Sequence, residues 1–257
     1  MEIASSRRAQ RRSGSVARTM AGAALAGVLL VSCTQAPAGT EPSAPASIPE
    51  AEPSVEPLRE AREGWKVFTD PARLVSFELP RDWVVQPLQP EPGAYAPDSL
   101  HYAVRTPEGT TTAELHTGIL TAEAPCPEAE RTPYYVIGSE PLELTGEPPA
   151  TSDIEPRFVV RLITGFRFFG AYGITDQVGG ADGLACALPN TVQGGDALGR
   201  FSFGDLEVLA PKAPANTGPQ TVSFGTIGEA EAYYGTPEFA TIREMIQSVQ
   251  VAAPPAA

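Results

Sequence analysis

The strongest constraint on the fold is an alternation of apolar and polar side chains that begins near residue 74. In LVSFELPRDWVVQPL (74–88), every second residue from Val75 to Leu79 is apolar. Successive side chains of a β-strand point to opposite faces, so this period of two predicts a strand with one buried face. Pro80-Arg81-Asp82 then predicts a turn, and Trp83 opens the next strand.

Further strands are predicted along the rest of the chain. Residues 65–68 are a short apolar entry to the domain, and apolar, β-branched and aromatic residues favour strands at 100–105, 111–120, 134–138, 158–164, 166–174, 201–209 and 221–227. Pro107-Glu108-Gly109 marks a hairpin turn between two of them. The two most apolar stretches, 158–164 and 166–174, are expected at the centre of an antiparallel sheet.

The last element is predicted to be a helix that begins after Thr236. Thr236 is a suitable N-cap, Pro237 suits the first helical position and Glu238 places an acid in the first turn. Apolar residues then recur at intervals of three and four, as on one face of an amphipathic helix, at Phe239, Ile242, Ile246 and Val249, with Met245 beside them. A sheet with such a helix packed on it belongs to the α+β class.

The two ends of this domain resemble the LpqN-type lipoproteins of actinobacteria. The residues that carry the resemblance are VSFELPRDW at 75–83, and Glu238, Phe239, Ile242, Met245, Ile246, Ser248 and Val249 at the close. The resemblance implies a PsbP-like fold, which is an antiparallel sheet between helices. It also implies an envelope lipoprotein used for binding or assembly, and it supplies no catalytic residue.

The N-terminus predicts an export signal. Five arginines lie in the first 20 residues against Glu2 alone, and AGAALAGVLLV at 21–31 is uncharged. This run of about eleven residues is shorter than the roughly 20 that a membrane-spanning helix needs. Leu30-Val31-Ser32-Cys33 resembles the lipobox of bacterial lipoproteins, which implies cleavage before Cys33 and acylation of its thiol. The pattern leaves open whether the general secretory or the twin-arginine route is used.

Four segments follow from these patterns. Residues 1–32 are the predicted lipoprotein signal peptide, and 33–62 are the acylated cysteine and a disordered tether rich in Pro, Ala and Glu. Residues 63–251 form a single globular α+β domain. Residues 252–257 are a disordered tail.

The charge of the chain limits its partners. There are 18 Lys and Arg against 31 Asp and Glu, and cleavage before Cys33 leaves 13 against 30. A chain this acidic is repelled by nucleic acid and by anionic lipid headgroups. We therefore expect no nucleic-acid partner, and we expect the membrane to be contacted through the N-terminal lipid.

Cys126 and Cys186 are the only other cysteines. In an exported chain two remaining cysteines predict a disulfide, which is typical of oxidising compartments. A metal-binding or redox-active thiol pair is the alternative, although the two residues do not form a C-x-x-C motif.

The sequence contains no nucleophile elbow, P-loop, zinc-protease or calcium-loop motif. Its two histidines are the sharpest local feature. A hairpin register that buries Tyr102 opposite Leu115 places His101 opposite His116 on the polar face, because a slip of one residue inverts every side chain. This register corresponds to a hairpin loop of two or four residues.

His101, His116 and Glu114 are the candidate metal ligands, since two imidazoles and a carboxylate can hold a divalent ion. The alternative is a solvated strand face on which two histidines meet. No cofactor is predicted by any other pattern.

Two further segments are candidates for binding. The aromatic residues Phe166, Phe168, Phe169 and Tyr172 could line an apolar ligand groove or pack in the core. The glycine-rich stretch 176–199 predicts a long mobile loop that binds a partner or cation, or serves only as a connection.

The sequence therefore predicts a non-enzymatic, lipid-anchored lipoprotein at the extracytoplasmic face of the cell membrane, which binds an envelope protein or a small ligand. The alternatives are an extracytoplasmic enzyme, metal-dependent or hydrolytic, that uses His101 and His116, and a carrier of an apolar ligand.

Overall fold

The structure is a computed structural model, and it describes residues 61–90, 92–120, 125–144, 152–211 and 222–252. All of these residues lie in the compact unit Val55–Ala257. The predicted signal peptide, Cys33, nearly all of the tether and all but the first residue of the tail lie outside the described residues. Within the described ranges, no helix has the length and apolar character needed to cross a membrane.

The described residues form fifteen strands and two α-helices. The strands are β1 (Trp65–Thr69), β2 (Val75–Pro80), β3 (Val84–Pro87), β4 (His101–Arg105), β5 (Thr111–His116), β6 (Thr132–Pro141), β7 (Arg157–Thr164), β8 (Phe168–Thr175), β9 (Leu184–Ala185), β10 (Leu188–Pro189), β11 (Val192–Gln193), β12 (Arg200–Gly204), β13 (Val208–Leu209), β14 (Val222–Phe224) and β15 (Gln250–Val251). The helices are α1 (Ile227–Tyr234) and α2 (Pro237–Gln247), and a 3-10 turn spans Glu128–Glu130.

Ten strands form one antiparallel sheet in the order β3-β4-β5-β12-β8-β7-β6-β9, with β11 beside β12 and β14 beside β8. A second sheet has the order β1-β2-β15, and β10 pairs with β13. β7 and β8 lie in the interior of the large sheet, where the sequence predicts its two most apolar stretches. An antiparallel body with two helices is an α+β arrangement, as predicted.

Alternate residues of the central strands enter two different apolar cores. Phe158 and Leu162 of β7 pack in the larger core, whereas Ile163 of the same strand packs in the smaller one. The helices contribute Tyr234 and Met245, among others, to the larger core. The period of two along each strand therefore fills both sides of the sheet with apolar side chains.

Helix α2 begins where the sequence predicts it. The Thr236 hydroxyl accepts a hydrogen bond from the Phe239 amide at 3.3 Å, and Pro237 is the first helical residue. The buried residues of α2 are Phe239, Ile242, Met245 and Ile246.

The prediction of a strand through 221–227 is wrong at its C-terminal end, where helix α1 begins at Ile227. Strand β14 ends at Phe224, and the Thr226 hydroxyl accepts from the Glu229 amide at 3.1 Å. The Glu229 carboxylate accepts in turn from the Gly225 amide at 2.7 Å. A Thr followed three residues later by Glu is a helix-start signal that was readable in the sequence.

The glycine-rich stretch 176–199 is also more ordered than expected, since it contains β9, β10 and β11. Cys186 lies in this stretch and forms a disulfide with Cys126, which confirms the predicted pair. Arg62, assigned to the end of the tether, contacts the folded domain: its guanidinium donates to Glu78 at 2.8 Å and lies 3.9 Å from the centre of the Trp65 ring.

Candidate functional site

The β4–β5 hairpin has the predicted register. His101 pairs with His116, Tyr102 with Leu115 and Val104 with Ala113. The loop, however, is a three-residue loop, because the Thr106 amide bonds to the Thr110 carbonyl at 2.9 Å. A bulge beside Val104 absorbs the extra residue, and the register that buries the apolar face is kept.

The two histidines are joined by a direct hydrogen bond. His101 Nδ1 lies 2.8 Å from His116 Nδ1. At the far side of the pair, His116 Nε2 lies 3.2 Å from the Glu114 carboxylate. At the near side, His101 Nε2 lies 2.7 Å from the Ser99 hydroxyl. Four side chains therefore form one unbranched chain of hydrogen bonds from Ser99 to Glu114.

The histidine pair is buried, contrary to the expectation of a polar strand face open to solvent. His101 is 6% exposed and His116 8% exposed. The ring of Tyr95 covers both imidazoles, with centroid distances of 4.4 Å to His101 and 5.4 Å to His116. The Tyr95 hydroxyl donates to Glu207 at 2.5 Å. The histidines are buried because the loop before β4 folds back over a strand face that is polar by sequence.

Backbone hydrogen bonds hold this loop against the segment that follows β5. The Ala96 amide donates to the Gly118 carbonyl at 2.7 Å, and the Leu120 amide donates to the Ala94 carbonyl at 3.0 Å. The Leu100 amide donates to the Thr117 hydroxyl at 2.8 Å. A Cβ atom on Gly118 would lie 3.1 Å from the Ser99 Cβ, so the absence of a side chain lets the two segments approach.

A cleft of about 380 Å³ opens beside the near end of the hydrogen-bonded chain. Ser99 and His101 both line it. The remaining lining residues are mostly apolar and are Pro87, Leu88, Pro90, Ala96, Asp98, Leu100 and Tyr102. The Ser99–His101 end of the hydrogen-bonded chain therefore lies at the cleft, whereas Glu114, at the other end, does not line it.

Burial lowers the pKa of His101 from 6.5 to about 4, and the neighbouring His116 acts in the same direction. An imidazole with this pKa is neutral throughout the neutral pH range. A neutral imidazole has one bare nitrogen, which can accept a hydrogen bond from a hydroxyl group.

Ser99 is the site residue that the sequence pattern did not reveal. It lies two residues before His101, so a continued strand alternation would have placed both on one face. That signal was readable, although the hydrogen bond depends on how the loop turns after Asp98. Asp98 has φ of 62°, in the left-handed region that few non-glycine residues adopt.

The structure brings together the three predicted metal ligands, His101, His116 and Glu114, but it does so through mutual hydrogen bonds. Among the residues that the structure describes, no group of three or more His, Cys, Asp or Glu side chains is arranged to hold a metal ion. An ion between the imidazoles would have to replace the bond between the two Nδ1 atoms. The metal site stays a prediction.

The four aromatic residues proposed for an apolar groove do not share a surface. Phe169 is buried in the smaller core and Tyr172 in the larger one. Phe166 is 86% exposed at the β7–β8 turn, where its ring contacts Phe169 with a centroid distance of 5.1 Å. Strand alternation separates these residues, so the core-packing alternative describes Phe169 and Tyr172.

Comparison of the chain with protein-family models, curated proteins and solved structures found no match.

Proposed function

We propose that this chain is a bacterial lipoprotein, held at the extracytoplasmic face of the cell membrane by acyl chains on Cys33. The observation that carries this proposal is the sequence Leu30-Val31-Ser32-Cys33 at the end of the uncharged run 21–31. The Cys126–Cys186 disulfide is independent support, because disulfides persist mainly in oxidising compartments outside the cytoplasm.

The anchor is tested by substitution of Cys33. The wild-type chain is expected to incorporate radiolabelled palmitate and to partition into the detergent phase, and Cys33→Ala is expected to lose both properties. The double variant Cys126→Ala/Cys186→Ala is the control and should keep both. Membrane retention of Cys33→Ala after alkaline washing would mean that the apolar run itself is the anchor.

We further propose that the folded domain has a PsbP-like fold and serves in binding or assembly, as the resemblance to LpqN-type lipoproteins implies. The antiparallel sheet and the two C-terminal helices agree with this fold class. The burial of Phe239, Ile242, Met245 and Ile246 on α2 supports the proposal that this helix is amphipathic.

The ligand site we propose is the cleft beside His101, because it combines apolar walls with a few polar groups, as small-molecule sites commonly do. Leu88→Trp should fill the cleft, and Val178→Trp, at an exposed position that does not line the cleft, is the matched control. Crosslinking in intact cells should capture a ligand or envelope partner with wild type and Val178→Trp but not with Leu88→Trp. Equal capture by all three would place binding elsewhere.

One observation favours a second function, that of an extracytoplasmic hydrolase. The Ser99 hydroxyl lies 2.7 Å from His101 Nε2, at the wall of the cleft. This distance is within the range expected for a nucleophile and its general base. The metal-dependent form of the enzyme hypothesis and the apolar-carrier hypothesis have no comparable support in the described residues.

A further inference from the structure

The proton positions in the chain from Ser99 to Glu114 follow from the identity of its last member. An ionised carboxylate only accepts hydrogen bonds, so His116 Nε2 must carry the proton that faces Glu114. In the state with both imidazoles neutral, His116 has a bare Nδ1, which accepts from the Nδ1 proton of His101. A neutral His101 therefore has a bare Nε2, and this nitrogen accepts from the Ser99 hydroxyl.

This proton arrangement is the one that general-base catalysis needs. The base must present a bare nitrogen to the nucleophile while its other nitrogen is held by a fixed acceptor. Here His101 Nε2 faces Ser99, and His101 Nδ1 is held by His116, which Glu114 orients in turn. The burial of both imidazoles fixes their ring positions and keeps water away from the bond between them.

We propose that Ser99 and His101 are the catalytic nucleophile and base of an esterase site, and that His116 and Glu114 are its positioning residues. The inference deepens the second candidate function and is independent of the lipid on Cys33. The hydrogen-bonded chain and the cleft together carry it.

Ester hydrolysis at this site needs only Ser99, His101, the ester and water. The Ser99 oxygen attacks the ester carbonyl while its proton moves to His101 Nε2, and the tetrahedral intermediate then expels the alcohol, which takes that proton. This step leaves an acyl group on Ser99. Water attacks the acyl carbonyl and gives one proton to His101 Nε2; the collapse returns this proton to the Ser99 oxygen and releases the carboxylic acid.

The walls of the cleft indicate the substrate class. Most of its lining residues are apolar, including Leu88, Leu100 and the proline side chains, which favours a short aliphatic acyl group. Asp98 lies in the same wall, and the chain as a whole is strongly acidic. Neutral or cationic esters of short-chain carboxylic acids are therefore favoured over anionic ones.

The backbone before the nucleophile adds a separate observation. Asp98 has φ of 62° and immediately precedes Ser99. Residues in sparsely populated backbone regions persist where the surrounding structure fixes them, and they cluster at functional sites. In this loop the hydrogen bonds of Ala96 and Leu100 to the segment 117–118 supply that support.

The test uses the full chain in detergent with a fluorophosphonate probe, from which an activated serine displaces fluoride. We expect one adduct by intact mass, assigned to Ser99 by peptide mapping, and hydrolysis of p-nitrophenyl butyrate. Ser99→Ala should lose both, and His101→Gln should lower the labelling rate at least about 100-fold. Ser139→Ala removes a serine that bonds Arg157 away from the cleft, and it should react as wild type does.

Glu114→Gln tests the positioning role. A glutamine amide can donate to His116 Nε2 as well as accept from it, so it no longer fixes the tautomers as a carboxylate does, and the donating form places a proton on His101 Nε2, facing Ser99. We expect labelling to fall at least about 100-fold, while ¹⁵N imidazole shifts report that the two tautomers have exchanged. Loss of labelling with unchanged tautomers would assign Glu114 a structural role and would overturn its proposed role as a positioning residue.

Binding of an ester in the cleft can be measured separately from esterase activity. The amide shifts of cleft residues on addition of p-nitrophenyl butyrate to Ser99→Ala report binding without turnover. Binding by this variant, with neither adduct nor turnover in wild type, would overturn the esterase and leave the binding site standing. An adduct that forms equally in Ser99→Ala would also overturn it.

Discussion

Two buried polar clusters in this domain are built from different kinds of hydrogen bond. The open cluster is Ser99, His101, His116 and Glu114, in which side chains bond one another in a line that starts at the cleft. The sealed cluster is Arg161, Thr175 and Asn190, each no more than 2% exposed. Arg161 and Thr175 donate to the Pro189 carbonyl, and Asn190 donates to the Leu206 carbonyl.

The difference separates two uses of buried polarity. The sealed cluster satisfies backbone carbonyls of short segments that lie over the smaller core, so its bonds fix the chain in place. The open cluster bonds no backbone group through its imidazole nitrogens in the described part of the chain, and its bonds fix proton positions instead. We therefore expect substitutions in the sealed cluster to change stability and those in the open cluster to change reactivity.

The largest effect on stability is expected from the disulfide, which holds the segment that covers the sealed cluster. Cys126 and Cys186 are 60 residues apart, and closing a loop of this length contributes about 4 kcal/mol by the chain-entropy estimate. Urea unfolding of Cys126→Ala/Cys186→Ala should show a free energy of unfolding lower by about this amount. Amide hydrogen exchange should increase more at 184–190, beside the sealed cluster, than at 99–104, which contain part of the open cluster. An equal increase in the two segments would contradict the proposed difference between the clusters.

The next largest effect is expected from Arg161→Ala. The guanidinium is buried, and burial lowers its pKa from 12.5 to about 10. The alanine leaves a cavity and an unpaired Asn190 side-chain oxygen, at a cost of about 3 kcal/mol. Arg161→Met is the matched control, because it fills most of the volume and should lose less. Fluorophosphonate labelling of Ser99 should persist in both folded variants. Loss of labelling would mean that the sealed cluster also controls the reactivity of Ser99.

The open cluster should make stability depend on pH in the acid range. The pKa of His101 is about 4 in the folded chain and near 6.5 in the unfolded chain, so only the unfolded chain takes up this proton between those values. The contribution is fully present above pH 6.5 and is lost as the pH falls toward 4, to a total of about 3 kcal/mol. Urea unfolding of wild type and His101→Gln at pH 7.5 and pH 4 measures how much of the pH dependence of the free energy of unfolding comes from His101. Equal pH dependence in the two proteins would mean that His101 keeps an ordinary pKa when folded.

Local patterns predicted the parts of this fold that depend on one segment at a time. The alternation at Val75–Leu79 and the helix start at Thr236 each report a nearby environment, and the structure has both elements where they are expected. The register of the β4–β5 hairpin was also predictable, because one apolar face must be buried whatever the loop length.

The parts that escaped prediction depend on contacts between distant segments. Nothing local at His101 indicates that Tyr95 will cover it, since this contact requires the loop before β4 to pair with the segment after β5. The alternation through Phe169 and Tyr172 could not show that a second apolar core lies on the other side of the sheet. The candidate site is therefore predictable as a pair of histidines, and its hydrogen-bonded chain to Ser99 is visible only in the fold.

Ser99→Ala should change stability less than any of the substitutions above. Ser99 is half-buried at the cleft wall, and its hydroxyl makes one neutral hydrogen bond to His101, so removing it should cost about 1 kcal/mol or less. Thr175→Val removes a hydroxyl from the sealed cluster and should cost at least as much, because Thr175 is 1% exposed and its hydroxyl donates to the Pro189 carbonyl at 2.9 Å. The two variants should therefore differ when urea unfolding and fluorophosphonate labelling are both measured at pH 7.5. Thr175→Val should lower the urea midpoint and keep fluorophosphonate labelling, whereas Ser99→Ala should lower the midpoint no further than Thr175→Val does and should lose labelling. A Ser99→Ala chain that unfolds at much lower urea would make Ser99 a structural residue, and the two clusters would then differ only in how far they lie from solvent.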